Sequence, residues 1–365
     1  MLNPHLTLTN LGRFFVDPSL FAVTPDKAMY RPALLVTYAL NRALGGWHLT
    51  NVAIQAAAAL SVWWLARTLL GSSWALLAGL LFAVHPLGTE PANYVSARSE
   101  SLAGLCYLLA VGLHVRGRCA VVPFVLGLFV KSICVTVPVV LLAYDWLVAG
   151  RVRWRRHLGY GVLVGGYLSL IWVNGFLSGS LRAPVRDETT QLLTQVKAGG
   201  YYLWLLAFPA RLNVEHQFFA WTSPATWAAA LLLVSVVALV VWKVRGLPLF
   251  LLIWGTVVLL PTVVVPLNVL VNEHRLYVTV AVWCLGLAWA LSRLPRATVA
   301  VVAVYALLVL GRNPTWASER ELWTDAARKA PLMPRTHLHL GNALKDEGRW
   351  DEARAAYQRA IDLRR

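Results

Sequence analysis

From Leu49 to Arg312 the chain alternates long apolar runs with short polar joints. The runs are roughly 17 to 24 residues long, close to what a helix needs to cross a hydrocarbon core of about 30 Å. They predict spans at 49–69, 73–89, 99–115, a short one at 119–131, 133–149, 157–177, 224–243, 247–270, 274–292 and 296–312. This pattern predicts an all-α, polytopic membrane helix bundle of about ten spans over residues 49–312, preceded by an N-terminal segment, 1–48.

The joints predict an orientation. Arg67, the pair Arg116 and Arg118, the run Arg151, Arg153, Arg155 and Arg156, then Lys243 with Arg245 and Arg293 with Arg296 all fall at alternate turns. Basic residues are retained on the cytoplasmic side, so these joints are expected inside. The turns from His85 to Arg98, at Lys131, from 178 to 197, from Asn272 to Arg275, and everything after Arg312 are then expected outside. An ordinary span at 191–209 would reverse Lys243 and Arg245, so that stretch is expected to be a re-entrant or laterally lying helix, helped by Gly199, Gly200 and Pro209. Met1 to His48 is expected outside as well, although it carries no signal peptide: a basic n-region, an apolar h-region and a cleavage site are all missing.

After Arg312 the pattern becomes charged and amphipathic, and residues 313–365 form a third region. On the tetratricopeptide template of about 34 residues, position 1 falls at Pro334. Leu340 and Gly341, Gly348, Ala353, Tyr357 and Ala360 then keep the phase, and Trp323, Ala326 and Pro331 extend it backwards into half a preceding repeat. So short an array cannot bury a continuous core, because each repeat leans on its neighbours. Either the membrane domain caps this hairpin or the chain is cut short.

Composition agrees with lipid. Hydrophobic residues make up 58% and charged residues 14%, against about 25% charged in soluble domains. The net charge of +16 is spread over the joints and forms no soluble patch, which argues against nucleic acid as a partner. Cys106, Cys119, Cys134 and Cys284 lie in or beside apolar runs with no metal-ligand spacing and read as packing residues. The seventeen tryptophans mark interfaces and bundle packing. There is no glycine-rich phosphate loop, zinc spacing or Ser-His-Asp arrangement, and no cofactor or metal is expected.

The segment Leu81-Phe-Ala-Val-His85-Pro-Leu-Gly-Thr-Glu90, followed by Tyr94-Val-Ser96-Ala-Arg98-Ser-Glu100, resembles the transmembrane and tetratricopeptide-repeat-containing O-mannosyltransferases and their bacterial relatives, which have the GT-C fold. Tyr30-Arg31-Pro32, Asn41, His48-Leu-Thr-Asn51, Lys131 with Pro138 and Asp145, Glu273-His274-Arg275-Leu276-Tyr277, Trp316, Leu322-Trp323 and Pro331 follow in the family's order. The chain departs from the family pattern at Lys131-Ser132, where Lys-Glu is common, and at Glu273-His274-Arg275, where Glu-Arg-Tyr is common. The family's outer-loop acidic pair precedes an Asn-Pro that Asn3-Pro4 resembles. The resemblance therefore implies that the general base lies upstream of Met1, and that the chain as written is inactive without it.

The resemblance implies an integral protein of the cytoplasmic membrane that moves mannose from a polyprenyl-phosphate donor to hydroxyl groups of an extracytoplasmic protein acceptor, with the tetratricopeptide region outside. Such a transfer needs a carboxylate for the acceptor proton and cations for the departing phosphate. His85, Glu90, Arg98, Lys131, Glu273 and Arg275 are the candidate substrate-binding residues. Against this, long basic side chains at span ends also snorkel to headgroups, and His85 and Glu90 suit a hydrogen-bonded helix end. Glu273 and Arg275 either clamp each other or split between acceptor and phosphate. Asp17 and Asp26 are weaker candidates for the base, and Asp145 reads as an interfacial ion pair beside the arginine run. The alternative is a non-catalytic membrane scaffold that binds partners through its hairpin.

Overall fold

The computed structural model describes residues 5–17, 20, 29–176, 186–220, 225–264, 269–291 and 294–364. Among them the chain is helical, with no strand. Asn3, Pro4, Asp26, Arg293 and residues 177–185 lie outside the described residues.

The helices follow the apolar runs. In chain order they are α1 (Pro32–Leu44), α2 (Trp47–Leu69), α3 (Ser72–Ala83), the short α4 (Thr89–Asn93), α5 (Arg98–Val115), α6 (Val121–Val130), α7 (Val137–Leu147) and α8 (Trp154–Val173). Then come α9 (Glu188–Ala207), α10 (Ala225–Lys243), α11 (Gly246–Val257), α12 (Leu260–Val264), α13 (Tyr277–Ala290) and α14 (Pro295–Arg312). The tail holds α15 (Glu319–Lys329), α16 (Pro334–Asp346) and α17 (Trp350–Asp362).

Three helices among the described residues are long and apolar enough to cross a bilayer: Trp47–Leu69, Gly246–Val264 and Arg296–Trp316. A fourth crossing is made if α3 is taken with the segment beyond Pro86, from which it is bent by 53°. The chain is therefore a membrane protein. Pro86 causes the bend: it offers no N–H to continue the ladder, and it forces His85 before it into an extended backbone at ψ 126°. The expected short span at 119–131 is a ten-residue helix, α6. Ten residues rise about 15 Å, half a bilayer core, and the chain then turns at Lys131 and continues as a 3-10 turn and α7. The stretch expected to be a re-entrant or laterally lying helix, 191–209, lies largely in α9, which runs unbroken through Gly199 and Gly200 to Ala207.

Helices α2, α3, α5, α7, α11 and α13 enclose one core containing Val62, Leu65, Leu81, Tyr107, Leu141, Phe250, Trp254 and Leu285. Small residues let helices approach where lipid supplies no hydrophobic drive. A Cβ on Gly79 of α3 would stand 2.8 Å from that of Trp63 on α2, and Gly104 of α5 leaves room for the Tyr277 ring.

At the arginine-rich end, α5 reverses into α6 through Gly117, whose φ of +74° needs glycine. Here Asp145 is not an interfacial ion pair with the arginines. It is buried, and its two oxygens pair with His114 Nε2 at 2.9 Å and His157 Nε2 at 3.0 Å. Three helices are thereby tied, because the polar partners a buried carboxylate requires are imidazoles of α5 and α8 while the arginines reach outward.

The tail folds back onto the membrane domain. Leu322, Trp323 and Ala326 of α15 cluster with Val214 of the 208–220 loop, against Tyr94, Trp316 and Leu340. Helices α16 and α17 form an antiparallel hairpin around Gly348 (φ +78°), with the Tyr357 ring seated on Gly341, where a Cβ would come within 2.6 Å.

Candidate functional site

The polar motifs expected on one side do converge at one end of the bundle, although they are far apart in sequence. The break before Pro86 starts the site by turning the chain so that Glu90 of α4 faces inward, buried at 2% exposure. Glu90 Oε1 pairs with His274 Nδ1 at 2.8 Å, across 184 positions of chain. The other ring nitrogen, Nε2, lies 3.4 Å from Glu100 Oε1 in the first turn of α5. Glu100 in turn forms an ion pair with Lys131, which the end of α6 presents to it. A continuous polar chain, Glu90–His274–Glu100–Lys131, thus joins four elements. His274 is 26% exposed at its side chain and Lys131 16%, while Glu90 Oε2 is buried without a partner.

Two further cations flank this chain. Arg31, ahead of α1, reaches Ser99 Oγ at 3.3 Å, next to Glu100. Arg275 donates to the carbonyls of Val269 (2.8 Å) and Leu270 (3.2 Å), which folds the approach to α13 around its guanidinium. Glu273 and Arg275 do not clamp each other. Glu273 accepts from the Asn213 backbone N–H, lies 3.0 Å from His216 Nε2, and meets Arg312 at 3.5 Å.

Arg98 is fully buried and its donors are used inside the protein. Nε donates to Asn51 Oδ1 (2.6 Å), Nη2 to the Trp47 carbonyl (2.9 Å) and Nη1 to Thr37 Oγ1 (3.3 Å), and the guanidinium lies over the rings of Tyr38 and Trp47. Burial pushes the Tyr38 phenol above its ordinary value despite the nearby cation. Arg98 therefore ties α1, α2 and α5 together and presents no free donor outward. His85 is also buried: its Nδ1 accepts from the Leu87 N–H at 3.3 Å, and its ring meets Tyr305 edge-on at 4.7 Å. Asp17 pairs with Arg13 at 2.6 Å.

Sequence reasoning left out His274, Glu100 and Arg31 as site residues, although all three stand inside the motifs. The available signal was charge order. Two acids at or just past the first outer joint, a histidine at another and a lysine at a third have a strong reason to meet, because each buried charge needs a polar or opposite partner.

Comparison with known proteins places the chain among glycosyltransferase-named relatives. It is 25% identical to the protein O-mannosyl-transferase F38B6.6 of Caenorhabditis elegans, over 92% of this chain and 54% of that protein. It is 39% identical to the protein O-mannosyl-transferase Tmtc2 of Drosophila melanogaster over 24% of this chain and 10% of that protein, and 34% identical to human TMTC2 over 24% and 11%. The chain spans about half the length of the worm relative. No family model and no solved structure matches it.

Proposed function

The homologues of this chain are protein O-mannosyl-transferases, and from that premise we propose that it is a GT-C-type membrane glycosyltransferase. It moves mannose from a polyprenyl-phosphate donor to hydroxyl groups of a protein acceptor, and its tail, read as a tetratricopeptide hairpin, presents that acceptor. The observation that supports this reading is the half-open chain Glu90–His274–Glu100–Lys131 flanked by Arg31 and Arg275 at one end of the bundle.

In the reaction the acceptor oxygen forms a bond to the anomeric carbon as the bond from that carbon to the phosphate oxygen breaks. The electron pair leaves with the phosphate, and the hydroxyl proton passes to a carboxylate. Lys131, Arg31 and Arg275 supply the positive field for the leaving phosphate; fixed charges in a water-poor site act strongly on charge that develops there. His274 holds Glu90 and Glu100 in place, so that neither glutamate withdraws Lys131 fully from the phosphate. Arg98 and Glu273 act as positioning residues that fix the segments carrying the others.

The test uses membranes carrying the full-length protein, radiolabelled polyprenyl-phosphate mannose and a protein acceptor fraction. Label is expected in protein, and Lys131→Met is expected to lower the rate about 10²-fold. Transfer no greater than in membranes without the protein, or Lys131→Met at the unaltered rate, would overturn the reading.

A further inference from the structure

The basic end of the bundle carries a groove that the proposed reaction does not use. It has a volume of about 600 Å³, within the range of about 300–1,000 Å³ found for single-ligand sites. Cys106, Leu109 and Leu113 of α5 form its floor. Leu60, Ser61, Trp63 and Trp64 of α2 make one wall, and Val122, Pro123 and Leu126 of α6 the other. Ser61 is the one hydroxyl in the lining, and it already donates to the Ala57 carbonyl at 2.8 Å. The groove is thus shaped for hydrocarbon and offers a sugar or water little to bond.

Its position along the helices identifies the occupant. The lining residues run from the middle to the last turn of α5, along the second half of α2 and along the first turns of α6, and the groove is linked to the arginines through Trp63, Trp64 and Leu113, whose carbonyl accepts from the Arg118 N–H at 2.8 Å. All three arginines, Arg67, Arg116 and Arg118, are exposed, Arg116 stands close to both Arg67 and Arg118, and among the described residues no carboxylate pairs with any of them. The two wall tryptophans carry two of these arginines: the Arg67 guanidinium sits 5.4 Å from the Trp63 ring and that of Arg116 4.3 Å from Trp64, with Arg116 also bonded to the Trp64 carbonyl at 2.7 Å. The Trp64 ring can lie this close to α5 because Gly112 has no side chain there. A dry groove ending under an uncompensated cluster of arginines, in helices built for lipid, matches one chemistry: a hydrocarbon chain joined to an anionic headgroup.

We propose that this groove is a binding site for an anionic glycerophospholipid of the arginine-side leaflet, with one acyl chain along α5 and the phosphate on Arg116 and Arg118. The site is separate from the polar chain at the other end and does not depend on the glycosyltransferase reading.

The purified full-length protein is stripped of lipid in detergent and then offered phosphatidylglycerol or phosphatidylcholine with the same acyl chains, with bound lipid read by native mass spectrometry. Phosphatidylglycerol is expected to be retained at about one per chain and preferred about tenfold. Arg116→Ala with Arg118→Ala is expected to abolish the preference while chain binding persists. Leu109→Trp, which puts a ring into the groove, is expected to lose both lipids, with thermal unfolding reporting that the variant is folded. Equal retention of the two lipids by the unaltered protein, or unchanged phosphatidylglycerol retention in folded Leu109→Trp, would overturn the proposal. So would glycerol phosphate competing as well as the intact lipid, because the groove would then contribute nothing.

Discussion

Both ends of the bundle bury carboxylates, and they neutralise them in different ways. At the arginine-rich end both oxygens of Asp145 are taken by histidines whose side chains are 1% and 8% exposed, and the backbone N–H of Arg153 points at the same carboxylate. At the other end one oxygen of Glu90 has no partner, and Glu100 shares Lys131 and His274, both partly open to solvent. A closed cluster spends its charge on holding helices together. An open one keeps charge for something that arrives. Mutations should therefore separate the two, with closed groups affecting stability and open groups affecting transfer.

The largest effect is expected at a residue that tests this division by standing at the open end while being closed itself. Arg98→Ala removes the donor from the buried Asn51 side chain and Trp47 carbonyl, at about 1–3 kcal/mol each, and leaves a cavity. Thermal unfolding in detergent should report a loss of about 3–5 kcal/mol, and Arg98→Lys should not restore it, because an ammonium lacks the planar fork that reaches three partners. An unchanged midpoint would show that the guanidinium does not hold α1, α2 and α5.

Next in size is Asp145→Ala, which strands two buried imidazoles and is expected to cost about 2–4 kcal/mol. The rate of sugar transfer per folded molecule should stay as it was. A folded Asp145→Ala protein with lost transfer would break the comparison, since the closed end would then take part in the chemistry.

His274→Ala should show the reverse. Its side chain is 26% exposed, so the loss of stability is expected to stay below about 1 kcal/mol. Transfer should still fall about tenfold or more as Glu90 and Glu100 lose their shared partner. His274→Arg still places nitrogen donors between the two glutamates and should recover most of the rate. Recovery by alanine alone would remove the histidine from the site.

These residues also mark how far the chain could be read before its structure. The apolar runs located the helices, but among the described residues three of them, or four with the bent pair, and not about ten, are long and apolar enough to cross a bilayer, and the span expected at 73–89 is broken before Pro86. The alternation of joints brought Glu90, Lys131 and Arg275 to one end. What it could not carry was pairing. Arg98 looked like a phosphate ligand, and whether its donors face a cavity or Asn51 depends on how α1 docks, which no local pattern encodes. Asp145 stood beside four arginines in sequence, yet its partners are His114 and His157, because an eleven-residue helix ending there turns the carboxylate inward. The docking of the tail was not legible in the sequence, which left open whether the membrane domain covers the hairpin; in the structure the 208–220 loop packs on α15 through Val214, with Asn213 carrying the link on to Glu273.

That docking surface gives the smallest expected effect and extends the comparison to pH. The His339 ring stacks on Trp323 at 4.2 Å, and its Nε2 accepts from Arg335 Nε at 3.4 Å. Burial and the neighbouring arginine hold its pKa below the ordinary 6.5. The unfolded tail therefore binds this proton more tightly than the docked one, so the stability from neutral His339 is full above 6.5 and is lost as pH falls below it. Glu215, 3.6 Å from the same Arg335, behaves in the opposite sense. Burial raises its carboxyl above the ordinary 4.5, so its contribution is full below that value and is lost as pH rises through the raised one. Between pH 8 and 6 only the histidine should loosen the tail, by less than about 1 kcal/mol. Amide hydrogen exchange in α15 and α16 should rise over that interval. His339→Phe keeps the stack and should flatten the profile, whereas a rise that persists in His339→Phe would assign the titration to another group.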